Sequence, residues 1–498
     1  MLMTGRLLIS FVSTIASHTC AFAQSPDTLC FIQINDIYEI SPLEGGRTGG
    51  IARIATVINE HRKRYKTYTV VAGDFLNPSV MGTAVVDKER LNGRQMVDMF
   101  NRLGVDFVAF GNHEFDLSET VLQKRIDESK FQWIGGNVRK ADGSRFQRAN
   151  GGVKEDLPDY TYLKAPNRRF SVGLFSLTLP SNVPAYAKFQ DYASSMRDAI
   201  PKRPARNHLI MGLTHLSLQE DLDVLRGDPR IRLLMGGHEH NHILERAGNG
   251  YVTKADANGK TVYRHLVYRD GRRKIKIDSR LIDIDQSVMP DPATDSAVKA
   301  WEALAYESFR KSGFDPDKVV VTLKDTLNGM ERSVRYEQNL LGRAVTEGLK
   351  MGSDVDAAFI NSGSIRIDDR VTGTITELDI IRVMPFGGRV VDIDMKGDLL
   401  QRIVQSNDER KGLGGYLQLD KDLRMKDGMW NLKGTPIDPQ RVYKVRTIEF
   451  LTLGRELKLE YLTDKDPSFV KMEKVNDGEG KPLDVRRTLI SYLQKRNR

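Results

Sequence analysis

Cysteine is almost absent from this chain. It occurs twice in 498 residues, at Cys20 and Cys30. Cys20 falls in an N-terminal segment that reads as a cleaved leader, so the mature protein keeps one thiol. That excludes an internal disulfide and a thiolate metal site. Long apolar runs are missing too: no stretch reaches the roughly 18 residues that a membrane span requires. Neither an internal repeat nor a low-complexity tract appears. The basic positions are scattered without interleaved aromatics, and Arg62-Lys63-Arg64 reads as the solvated face of one helix, so nucleic acid is not an expected partner. The formal charge of +9, which falls by one when Arg6 leaves with the leader, instead favours anionic ligands.

What is present begins with that leader. Arg6 precedes an apolar run from Leu7 to Ala16, and Ala21-Phe22-Ala23 forms an A-x-A cleavage site ahead of Gln24. Residues 1–23 are therefore expected to be a signal peptide, and the mature protein to be periplasmic or secreted. The residues before Cys20 (Ser17, His18, Thr19) are not the small apolar approach of a lipid-modified cysteine. With 40% hydrophobic and 28% charged residues the remainder has a globular balance, and its length calls for two domains. Composition shifts at Met289-Pro290-Asp291-Pro292. A helix expected over Ala293 to Ser312, with Trp301, Leu304 and Phe309 on its apolar side, would connect them. The expected division is 24–290, a linker helix at 291–315, and 316–498. The tail from Arg486 reads as a solvated basic helix.

Apolar strands and amphipathic helices alternate along the first region, which is α/β order. Its strands end on polar groups: Asp36, Asp74, Asn112, His215, His238 and His240. In α/β folds ligands collect at such carboxyl ends. These are oxygen and imidazole donors without sulfur, a set that suits Zn²⁺, Mn²⁺ or iron. Within Gly111-Asn112-His113-Glu114-Phe115-Asp116, a glycine turns the chain, His113 can carry a proton and Asp116 can hold its ring in one tautomer. Asp74 is suited to bridge two ions, and histidines at i and i+2 after Gly236-Gly237 can serve neighbouring ions.

Asn35-Asp36, Gly73-Asp74, Gly111 to Asp116, Thr214-His215 and Gly237-His238-Glu239-His240 resemble, in order, the five blocks of the calcineurin-like metallophosphoesterases. Asn361 to Arg366 and Pro385-Phe386-Gly387 resemble the C-terminal domain of the 5′-nucleotidase branch. The resemblance implies a four-layer α/β/β/α catalytic domain, a hinge helix and a nucleotide-recognising α/β domain. It assigns Asp36, Asp74 and His240 to one divalent ion, and Asp74, Asn112, His215 and His238 to the other. It sets His113 beside the phosphate, oriented by Asp116. Two departures stand out. The first block reads Asp36-Ile37-Tyr38 where the family has Asp-x-His, and no Gly-Gly-Asp-Gly-aromatic block is evident near Leu453 to Tyr461.

The expected function is two-metal hydrolysis of a nucleotide or related small phosphate ester, with a metal-bound hydroxide attacking phosphorus in line. Arg335, Asn361, Arg366 and Phe386 are the expected substrate-binding residues. A cyclic-nucleotide phosphodiesterase, a nucleotide-sugar hydrolase, a sulfur-ester hydrolase or a non-catalytic binding relative would use the same scaffold. For Tyr38 three roles are open: a bystander at a weak site, a phenol that turns away and packs, or a phenolate ligand that selects iron.

Overall fold

A computed structural model describes residues 28–496, apart from 182, 206, 271 and 273, so the leader expected at 1–23 lies outside the described residues. The chain opens with β1 (Thr28–Ile34), whose 7 residues are all buried. Alternation explains this: Leu29 and Phe31 pack into one apolar cluster, Cys30, Ile32 and Ile34 into another. It continues through α1 (Ile51–Arg62), β2 (Lys66–Ala72), α2 (Arg94–Leu103), β3 (Phe107–Ala109), α3 (Glu119–Glu128) and β4 (Gln132–Ile134). Strands β1 to β4 pair in parallel, each beside the next.

A second sheet follows from β5 (Tyr160–Lys164), β6 (Ser171–Thr178), β7 (His208–His215), β8 (Ile231–Gly236), β9 (Ile243–Ala247) and β10 (Gly250–Lys254). Its helices are α4 (Tyr192–Ala199) and α5 (Leu218–Gly227), and its strand order is β5-β6-β7-β8-β10-β9. The chain then returns to the first sheet with β11 (Thr261–Arg269) and β12 (Ile275–Asp283), antiparallel to each other, with β11 beside β1. Val70 and Ala72 of one sheet meet Met211, Leu213 and Leu233 of the other in a shared apolar layer. Helices cover the outer faces. The result is a four-layer α/β/β/α arrangement in which the parallel strands of both sheets bring their carboxyl ends to one place.

The next helix, α6 (Pro292–Lys311), starts where its sequence says it should. Asp291 caps it, accepting from the Thr294 amide at 2.9 Å, and Pro292 occupies the first turn. It packs on α1 and α2, and the Trp301 indole donates to Asp98 at 2.9 Å. Val298, Ala305 and Phe309 form its buried stripe, while Leu304 is 41% exposed. The expectation that Leu304 lies inside is therefore corrected: it stands beside a stripe spaced by seven and four residues.

The last region contains β13 (Val319–Asn328), α7 (Leu340–Lys350), β14 (Ala357–Asn361), β15 (Arg370–Thr376), α8 (Glu377–Val383), β16 (Val390–Lys396) and α9 (Gly397–Gln405). It ends with β17 (Leu417–Leu419), β18 (Val442–Ile448), β19 (Phe469–Lys474) and α10 (Val485–Arg496). Its main sheet runs β17-β14-β18-β16-β19, and β13 pairs separately with β15. The tail is not a solvated helix. One face of α10, with Val485, Leu489 and Leu493, is buried, and the helix packs on α7. Arg486 and Arg487 both stack on the Phe314 ring, at 4.4 and 4.0 Å, so two of its basic residues are structural.

Candidate metal centre

Asp36 follows β1, Asp74 follows β2, Asn112 follows β3, His215 ends β7, and His238 and His240 follow β8. Four of these residues turn through the left-handed region, with φ of 48° at Asp36, 54° at Asp74, 92° at His238 and 60° at His240. Non-glycine residues adopt that region at a cost, and here it folds each side chain back over its strand end. The backbones are pressed together as well: a Cβ on Gly111 would lie 2.1 Å from Asp74 Oδ1. Glu114, fully buried, joins the two turns by accepting from the amides of Gly111 (2.6 Å), Asp74 (2.9 Å), Phe75 (2.8 Å) and Leu76 (3.1 Å). Sequence reasoning gave Glu114 no role, although it stands beside His113.

The six strand-end residues come together. His215 Nε2 lies 3.1 Å from Asp74 Oδ2, 3.2 Å from Asn112 Oδ1 and 3.9 Å from Asp36 Oδ1. Its other nitrogen, Nδ1, donates to the Ala72 carbonyl at 2.8 Å, which fixes the tautomer and turns Nε2 to the cluster. His240 Nε2 is 3.5 Å from Asp36 Oδ1, and the His238 ring meets the His215 ring edge-on at 5.5 Å. Burial by itself would raise both carboxyls. Nearby imidazoles outweigh it: His215 and His240 hold Asp36 low, and His215 and His113 hold Asp74 low. Burial opposes charge on His215, but Asp74 and Asp36 push it up to about 9. His238 falls to about 4 through burial and the neighbouring His215. Asp36, Asp74 and His215 offer donor atoms within 4.8 Å of one another. Two buried carboxylates with imidazole and amide donors fit a divalent cation in both charge and donor type.

Beside the cluster, His113 Nδ1 pairs with Asp116 Oδ2 at 2.6 Å, and its amide donates to Asp74 Oδ1 at 2.8 Å. That leaves Nε2 to face the cleft, where Arg366 Nη2 approaches it at 3.3 Å. Tyr38 does not turn away. It is 6% exposed, and its hydroxyl donates to Asp74 Oδ2 at 3.0 Å and lies 3.2 Å from His240 Nε2. Burial first, then Asp74 and Asp36, raise its pKa well above 10. The His238–His240 loop is anchored from below. Glu239 points away from the cluster to the buried Lys254, which also meets Asp221 at 2.8 Å and donates to the Leu216 carbonyl at 2.7 Å. Lys254 lies on β10, with nothing in its local sequence to mark it.

The expected substrate residues of the last region divide. Arg366 reaches His113 beside the cluster, and Phe386 is half exposed. Arg335 instead pairs with Glu331 at 2.7 Å. The Asn361 amide donates to Glu456 at 2.7 Å and accepts from the Ser364 hydroxyl at 2.6 Å. Glu456 belongs to the segment where the aromatic block is missing.

Comparison with known proteins gives this geometry a family. Residues 30–242 match the family described as calcineurin-like phosphoesterase. Residues 319–459 match the 5'-nucleotidase C-terminal domain, so together the two cover well over half of the chain. The chain belongs to the calcineurin-like phosphoesterases. As a member of that family it is a metal-dependent phosphoester hydrolase. Among its relatives, a snake venom 5'-nucleotidase of Crotalus adamanteus is 25% identical over 467 residues, covering 82% of this chain and 76% of that one. A 5'-nucleotidase of Homo sapiens is 25% identical over 465 residues, covering 82% and 78%. A solved 5'-nucleotidase precursor from Thermus thermophilus shares the fold, with a TM-score of 0.71 at 22% identity over 94% of this chain and 97% of that one. The calcineurin-like family implies divalent metal ions.

Proposed function

We propose that this phosphoesterase hydrolyses nucleotides or closely related small phosphate monoesters at a two-metal centre. Asp36, Asp74 and His240 would hold one ion, Asn112, His215 and His238 the other, with Asp74 shared. The observation that carries this reading is the buried cluster of Asp36, Asp74 and His215, with donor atoms within 4.8 Å, directly beside a histidine whose second nitrogen faces the cleft and Arg366. Bound there, divalent zinc or manganese would acidify water and neutralise phosphoryl oxygens. His113, its tautomer held by Asp116, would give a proton to the leaving oxygen through Nε2. Arg366 beside it would hold an anionic or ribose oxygen, and Phe386 would offer a flat face to a base. Nucleotide preference draws support from the names of the relatives and from the matched C-terminal domain.

The same reading divides the mature chain into a catalytic domain at 24–290, a linker helix at 291–315 and a recognition domain at 316–498. The leader at 1–23 supports an exported enzyme. No helix among the described residues is long and apolar enough to cross a membrane. The test is phosphate release from mononucleotides, cyclic nucleotides, nucleotide sugars and an aryl phosphate after metal reconstitution. Mononucleotides should be the best substrates. Turnover of cyclic nucleotides or nucleotide sugars with mononucleotides untouched would overturn the substrate class.

A further inference from the structure

His240 Nδ1, the nitrogen that faces away from the cluster, meets Asp368 Oδ2 at 2.7 Å. The two residues are 128 positions apart, and Asp368 comes from the recognition side of the cleft. The aspartate is itself held. It is 7% exposed, sits at φ 42°, and its second oxygen accepts from the Glu331 amide at 2.8 Å. Glu331 in turn is fixed by Arg335. Asp368 stands two residues after Arg366, with the buried Ile367 anchoring the turn between them. One short turn therefore touches both working imidazoles, His113 through Arg366 and His240 through Asp368.

We infer that Asp368 is a positioning residue of the metal centre, supplied from across the cleft. An acceptor on Nδ1 fixes the ring in the tautomer and rotation that present Nε2 to a cation and makes that nitrogen a better donor. His215 obtains the same service from the Ala72 carbonyl within the catalytic side, but His240 has to obtain it from the far side. The consequence is a link between the two halves of the site. Because binding free energies are reciprocal, anything that seats the 366–368 turn tightens the ion, and the ion seats the turn.

This inference rests on the reading of His240 as a ligand, and the experiment separates the two. The full mature chain is titrated with Mn²⁺ or Co²⁺ alone against a chromophoric chelator. Asp368→Ala should weaken the more labile ion by about 10–100-fold, with Asp368→Asn, which keeps an acceptor without the charge, falling in between. Asp368→Ser repeats the test if the alanine variant does not fold. Lys260→Ala removes a neighbouring contact across the cleft, to Asp369 at 3.5 Å, and should leave affinity unchanged. Wild-type affinity in the Asp368 variants, whatever their melting temperature, overturns the inference. Equal weakening in Lys260→Ala assigns the effect to docking of the two halves and overturns it too. If His240→Ala binds both ions as well as wild type, the ligand reading itself fails.

Discussion

On the catalytic side of the cleft, Asp36, Asp74 and His215 are buried, with His215 Nε2 3.1 Å from Asp74 and 3.9 Å from Asp36, and the backbones of Asp36 and Asp74 turn through a rare conformation to bring them there. On the facing side, Arg335 is tied to Glu331, Arg382 to Asp369 and Asn361 to Glu456, each within its own region. Arg366 and Asp368 reach across from there. One wall concentrates carboxylate, imidazole and amide donors suited to a cation, and the other pairs its own charges within its own region. Chemistry and recognition are thereby separated. Loss of a catalytic-side residue should stop turnover, and loss of a recognition-side residue should change which ester is accepted.

The largest effect should come from the catalytic wall. Exhaustive chelation should abolish phosphate release, and Mn²⁺, Zn²⁺ or Co²⁺ should restore it. His113→Ala should lower kcat on the order of 10²–10⁴-fold while metal content stays at the wild-type level. Undiminished turnover in chelated protein would break the comparison at its base.

Beneath that wall, Lys254→Met removes the cation shared by Asp221 and Glu239. Leaving buried carboxylates unpaired should cost about 3–5 kcal/mol, read from denaturant unfolding. Metal affinity should fall with it, since Glu239 anchors the loop that carries His238 and His240.

Recognition-side changes should be smaller and selective. Arg366→Ala should raise KM for a nucleotide by about 10–100-fold, the scale of one charge-assisted bond, and more than it raises KM for an aryl phosphate. Phe386→Ala should follow the same pattern with a smaller change, and without a lower melting temperature because the ring is half exposed. Equal losses on both substrates would make these residues structural supports and blur the separation.

The smallest effect should be at Tyr38. Its hydroxyl donates one bond to Asp74, so Tyr38→Phe should cost about 1 kcal/mol of stability or less and leave turnover near wild type. A charge-transfer band on the iron-loaded protein, lost in Tyr38→Phe, would show a phenolate ligand instead.

The order of strands and helices was legible because the hydrophobic periods of a strand, about 2.0, and of a helix, about 3.6, are local. So were the polar strand ends, since Asp36, Asp74 and His215 each follow an apolar run closed by a turn. Less could be read where a helix face had to choose its partner. The spacing of Val485, Leu489 and Leu493 permitted a buried stripe on α10, but the basic residues between them read as solvent-facing until α7 and Phe314 supplied surfaces to pack on. Leu304 failed for a similar reason, because the position of the apolar stripe depends on where α1 and α2 lie.

By itself, the sequence determined the inventory: oxygen and imidazole donors at the ends of parallel strands, no thiolate, one histidine paired with an aspartate three residues on. Those are contacts within a turn, governed by backbone geometry that neighbouring residues impose. Only the tertiary structure decided that Tyr38 faces inward, that Lys254 supports the histidine loop, that Arg335 is neutralised by Glu331, and that Asp368 meets His240. Lys254 and Glu239 are 15 positions apart and Tyr38 and Asp74 36, but His240 and Asp368 are separated by 128 and Arg366 and His113 by 253. Such pairings depend on how whole layers dock, which is set by the summed burial of many apolar side chains and leaves no mark in the local sequence around any one of them.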